Sequence, residues 1–272
     1  MPLSKNMPPP TEREAIFYED FRQGKLDRSK WNVRITGHVV NNELQAYVDS
    51  DETLYVTNDE ADPDHENKVL VFHPRYRPGF ETADGQSFDF ISGRIDTREK
   101  FQFAYGTASA RIKLPVGSGL WPAFWAMGEG KWPENGEIDI MEYVGEPDWT
   151  SCALHGPGYF GESALVNKLF FRNGEDAAGW HIYSVDWAPD KMVFKVDEVI
   201  IYRVTRPMVD FFGPWVFSDK KYLILNLALG GVYPFKTNGI HSPYYGLSKE
   251  TLDRIKKDEV RVLVDWVRVC GM

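Results

Sequence analysis

The sequence has no apolar run near the roughly 20 residues that a membrane-spanning helix needs, so no membrane partner is expected. It has no basic run either. Its 31 Lys and Arg against 40 Asp and Glu give a net charge of -9, the wrong sign for a phosphate backbone, and no nucleic-acid partner is expected. Cysteine is scarce: Cys152 and Cys270 lie far apart and have no metal-ligand spacing. They leave open one disulfide in an oxidising compartment or two buried thiols. Helical signals are few, the best being 248–257, where Ser248 serves as N-cap, Glu250 falls in the first turn and lysines in the last. The opening stretch MPLSKNMPPP is polar and Pro-rich, without the apolar core of a signal peptide.

What remains is a β pattern. Ala108, Ala110, Ile112 and Leu114 alternate with Thr107, Ser109, Arg111 and Lys113, which predicts a half-buried strand ending at Pro115. Residues 181–187 and 192–196 predict two more strands around an Ala188-Pro189-Asp190 turn. The run 222–229, apolar except for Asn226, fits a central strand covered on both faces, and 260–269 reads as a closing strand. Many short strands with one small helix predict an all-β, two-sheet sandwich. Residues 1–15 read as a flexible tail and 16–272 as a single domain. The aromatics, 9 Trp, 13 Tyr and 17 Phe, first suit a β core. They also suit a sugar groove, because a pyranose presents apolar C–H faces to a ring.

The most informative segment is Gly136-Glu137-Ile138-Asp139-Ile140-Met141-Glu142-Tyr143. In a regular strand Glu137 and Asp139 share one face and Ile138 and Ile140 the other. Strict alternation would send Glu142 into the core, where a bare carboxylate costs several kcal/mol. One extra residue at Ile140–Met141, a β-bulge, returns Glu142 to the face of the other two acids. Three acids on one face repel and raise one another's proton affinity. From spacing alone, a catalytic carboxylate set, an acidic surface strand and a calcium site stay open.

The segment Glu-Ile-Asp-Ile-Met-Glu resembles the bulged signature of glycoside hydrolase family 16, and within it the laminarinase-like endo-1,3-β-glucanases. The resemblance extends to Asn41-Asn42-Glu43-Leu44-Gln45, to 92–98, to Tyr105-Gly106, to Lys113-Leu114-Pro115, to Gly119-Leu120-Trp121-Pro122-Ala123-Phe124-Trp125, to 225–231 and to 264–269. Together these run in order over about residues 17–269. The resemblance implies a β-jelly roll of two curved antiparallel sheets with a concave substrate groove. It implies retaining, endo-acting hydrolysis of β-1,3 linkages in β-glucan polysaccharides and oligosaccharides. Glu137 would be the nucleophile, Glu142 the general acid/base and Asp139 the group between them that tunes both.

By the same resemblance Trp121, Trp125, Trp132, Arg98, Asn41, Asn42 and His155 are candidates for sugar binding, with Tyr159 a weaker one. No catalytic cofactor is expected. A structural calcium ion is, held partly by Asp265 and Asp20. The protein is expected to be a secreted monomer whose signal has been removed. The alternatives are a same-family hydrolase of mixed-linkage 1,3-1,4-β-glucan or of a galactan, a transglycosylase, and a non-catalytic glucan-binding protein. The last typically lacks the acids that are present here. The loops 74–90 and 234–247 carry the choice of linkage and match no family pattern.

Overall fold

The computed structural model describes residues 14–36, 39–59, 67–172 and 174–272. The tail expected over 1–15 lies outside them, except that a strand already begins at Ala15 and runs to Glu19 against Val262–Cys270.

Two sheets face each other across the core. The larger is ordered Val199–Thr205, Lys191–Val196, Trp180–Ala188, Gly106–Lys113, Val262–Cys270, Lys68–Phe72 and Leu54–Asn58. The other is ordered Leu165–Phe170, Trp149–His155, Glu137–Glu142, Leu120–Gly128, Lys221–Leu229, Arg94–Asp96 and Asn32–Val33. Both are antiparallel throughout, as a jelly roll requires. A small third sheet joins Gln45–Tyr47 in parallel to Ser87–Ser92, which pairs antiparallel with Arg75–Glu81.

The predicted strands at 107–114, 181–187, 192–196, 222–229 and 260–269 all form, with ends shifted by one or two residues. All nine residues of Lys221–Leu229 are buried, as a central strand covered on both faces demands. Its inward row of Leu223, Leu225 and Leu227 packs in one core with Ile138, Ile140, Met141, Ile112, Tyr183 and Val264. The helix Lys249–Lys256 starts where Ser248 Oγ accepts the Thr251 N–H at 3.1 Å. A second helix, Val232–Asn238, occupies part of the stretch read as loop. Gly239, at φ 66°, ends it in the left-handed conformation that glycine adopts without strain. Cys152 and Cys270 are both buried, one on each sheet, and are not joined in a disulfide, which decides between the two cysteine readings.

Candidate active site

The strand Glu137–Glu142 is bulged. Against Leu120–Gly128 it pairs Asp139 with Trp125, then Met141 with Phe124 and Glu142 with Ala123, leaving Ile140 as the extra residue. Both Ile140 and Met141 are therefore buried in the core. Glu137, Asp139 and Glu142 all turn to the opposite face. A buried apolar pair on one side and three acids on the other is the arrangement that removes the conflict in the sequence.

An indole N–H meets each glutamate. Trp121 donates to Glu142 Oε1 at 3.1 Å, and Trp132 donates to Glu137 Oε2 at 2.9 Å. Trp121 stacks edge-on against Tyr233, whose hydroxyl shares a 3.0 Å hydrogen bond with Ser151 Oγ. Trp132 stands 40% exposed at the mouth and meets the Phe160 ring edge-on. Trp125 instead donates to Asn226 Oδ1 at 2.8 Å, and the Arg94 guanidinium lies over its ring at 5.0 Å. Asn226 donates in turn to the Tyr47 hydroxyl at 3.1 Å.

His155 comes from the neighbouring strand, directly opposite Glu137. Its Nδ1 accepts the Gly161 N–H at 3.1 Å, so in the neutral ring the proton sits on Nε2. That atom lies 3.1 Å from Asp139 Oδ2 and 3.9 Å from Glu137 Oε1. Asp139 Oδ2 is buried and has no well-aligned hydrogen bond among the described residues.

The three acids hold protons near neutrality. Burial, helped by the Asp139 charge, pushes Glu137 up to about 8. Burial likewise pushes Asp139 up to about 7 and, again with Asp139's charge adding, Glu142 up to about 8. Glu137 and Asp139 shift each other's proton affinity, so their protons belong to the pair.

Glu137, Asp139 and His155 present ligand atoms within 4.8 Å of one another, close enough for one cation. The imidazole does not fit that use. With Nδ1 accepting from Gly161, the free lone pair is not on the atom that faces the acids. The set suits proton holding better than metal binding.

The remaining expected residues make no contact with the three acids among the described residues. Arg98 pairs with Glu129 and lies over the Tyr222 ring at 5.8 Å, an exposed surface contact. Asn41 and Asn42 are exposed turn residues with φ of 53° and 57°. The Asn41 carbonyl accepts the Val232 N–H at 2.8 Å. Tyr159 is fully buried and donates to the Pro214 carbonyl at 2.9 Å, a core role. Asp265 and Asp20 do not form a calcium shell. The Asp265 carboxylate is engaged on one oxygen by Arg111 and on the other by Asn67, and Asp20 accepts from the Arg22 N–H. A guanidinium already neutralises Asp265, so the donor set expected for calcium does not fit. Arg94, Asn226, Tyr47 and Tyr233 are the groove residues that sequence reasoning missed. The elements 92–98 and 225–231 held two of them, Arg94 and Asn226, but gave neither a role.

A jelly roll whose one open sheet face carries two indole-bound glutamates beside a buried aspartate is a glycosidase arrangement. The chain belongs to glycosyl hydrolases family 16, whose model matches residues 37–220. Glucan endo-1,3-beta-glucosidase A1 of Niallia circulans is 32% identical over 248 residues, covering 79% of this chain. The chain spans only 34% of that protein's length. The Beta-glucanase of Rhodothermus marinus is 31% identical over 81% of this chain and 77% of its own. The X-ray structure of the endo-beta-1,3-glucanase from Pyrococcus furiosus superposes with a TM-score of 0.80. It has 30% identity and covers 95% of this chain and 94% of its own.

Proposed function

We propose that this protein is a retaining endo-β-1,3-glucanase acting on laminarin-type glucan, with Glu137 as nucleophile and Glu142 as general acid/base. The observation that carries the reading is the bulge, which sets both glutamates and Asp139 on one face with an indole N–H on each glutamate. The names of the relatives support the substrate class. Secretion as a monomer fits a polymeric substrate, which an enzyme reaches outside the cell.

In the first step the ionised Glu137 attacks the anomeric carbon while Glu142 gives its proton to the departing glycosidic oxygen. The proton held by the Glu137 and Asp139 pair rests on Asp139 for this step, leaving Glu137 its charge. A glycosyl ester forms on Glu137 and the aglycone leaves. In the second step Glu142, now ionised, takes a proton from water. The water attacks the anomeric carbon and Glu137 is released. The sugar leaves as the β-anomer. Carboxyl groups carry both steps, and no cofactor is assigned one.

Incubation with laminarin, barley β-glucan and agarose tests the substrate. The expected result is a ladder of oligosaccharides from laminarin. Glucose alone would contradict internal cleavage, and turnover of agarose without laminarin would reject the glucan assignment.

A further inference from the structure

Lys221 occupies a place in the core where its neighbours in the strand are leucines. It is 0% exposed and belongs to the inward row with Leu223, Leu225 and Leu227. A buried ammonium costs several kcal/mol unless its protons find acceptors, and packing alone would be served by an apolar side chain. Among the described residues no ion pair holds it. Instead Nζ donates to the Asn135 carbonyl at 2.8 Å and to the Val216 carbonyl at 3.2 Å, with the Phe217 ring 5.6 Å away. Burial pushes the ammonium down to about 8, against the pull of Asp219.

The cradle is built for that ammonium. A Cβ on Gly128 would come within 2.3 Å of the Asn135 oxygen and 3.2 Å of Nζ. One on Gly136, which is held at φ +66°, would come within 2.7 Å of the Val216 oxygen and 3.1 Å of Nζ. These two glycines bracket a closed turn. The Gly128 N–H donates to the Gly136 carbonyl at 3.2 Å, and Asn135 Nδ2 donates to the Gly128 carbonyl at 2.8 Å. Trp132 sits in this turn, and Glu137 follows it directly.

We propose that Lys221 is a positioning residue of the catalytic site. Its ammonium pins the Asn135 and Val216 carbonyls and so fixes the 128–136 turn where the Trp132 N–H reaches Glu137. The chain of contacts runs from a core cation, through backbone, to a groove indole and then to the proposed nucleophile. Lys221 itself touches neither substrate nor carboxylate.

The inference rests on the reading of Glu137 as a catalytic carboxylate. Glu137→Ala tests that reading by itself, because an active Glu137→Ala enzyme would refute it whatever Lys221 does. Two measurements on the full chain then test Lys221. The first follows indole N–H signals of protein labelled with 15N-tryptophan, with Trp132 assigned by its loss in Trp132→Phe. The Trp132 signal should lie downfield in the wild type and return toward the free-indole position in Lys221→Met. The second is a double-mutant cycle on kcat. Lys221→Met should lower kcat about tenfold or more with KM changed less than threefold, and adding Trp132→Phe should cost little further. Losses that multiply, or an unmoved Trp132 signal with a lowered Tm alone, would overturn the proposal and leave Lys221 as a stability element. If Lys221→Met does not fold, Lys221→Gln keeps a neutral amide N–H donor group. It should then show the same signal displaced part of the way, and an undisplaced signal with unchanged kcat would overturn the proposal.

Discussion

Trp121 donates its indole N–H to the Glu142 carboxylate at 3.1 Å, and this contact favours the ionised form of a group that burial otherwise keeps protonated. The proposed acid/base must be protonated in the first step and ionised in the second. A donor that eases the switch serves the second.

Trp121→Phe keeps most of the ring and removes that donor. A hydrogen bond to a charged group contributes about 1.5–3 kcal/mol, so a loss of about tenfold or more in turnover is expected, with a small change in melting temperature. Without the donor Glu142 holds its proton to higher pH, and the alkaline limb of the pH–rate profile should move upward. Steady-state kinetics over pH with thermal melts check this. Normal turnover in a destabilised protein would make Trp121 structural.

Asp139→Asn gives the opposite displacement. The Asp139 charge is the second cause, after burial, that holds Glu137 and Glu142 up at about 8. Removing it lowers both, and the alkaline limb of kcat/KM should move to lower pH. Stability follows the same linkage. Carboxyls whose folded pKa is raised contribute stability that is present below about pH 4 and is lost as pH rises through about 7–8. The wild-type melting temperature should therefore fall across that window, and that of Asp139→Asn should fall less. Parallel melts from pH 5 to 9 decide, and identical slopes would contradict the account of the cluster.

The bulge was legible because strict alternation would have buried Glu142, and only an inserted residue reconciles Ile138, Ile140 and Met141 with three acids. The central strand at 222–229 was legible from its unbroken apolar run. The partners of the acids were not. Trp132 was a candidate, but its bond to Glu137 depends on how the turn between Gly128 and Gly136 closes. Arg94 and Arg98 lie four residues apart on the same segment, and the spacing did not show that Arg94 covers Trp125 while Arg98 turns out to Glu129. Asn226, Tyr47 and Trp125 meet across separations of 101 and 179 residues, which local pattern does not encode. Asp265 looked like a metal ligand for the same reason, since Arg111 is 154 residues away.

Calcium is the point at which family resemblance and structure part. With Arg111 on one oxygen of Asp265 and Asn67 on the other, chelation with EDTA should leave the melting curve unchanged. Arg111→Met should instead destabilise by about 3 kcal/mol, the order expected when one partner of a mostly buried pair is removed. A fall in melting temperature on chelation, restored by calcium, would contradict this.

The most direct test of the central claim is the anomeric configuration of the azide product formed by Glu137→Ala from an aryl β-glucan oligosaccharide with a good leaving group. If Glu137 is the nucleophile, its loss opens the α face, and azide should restore turnover as an α-glycosyl azide, identified by NMR. A β-glycosyl azide would instead make Glu137 the acid/base, and either that product or full wild-type turnover without azide would contradict the account.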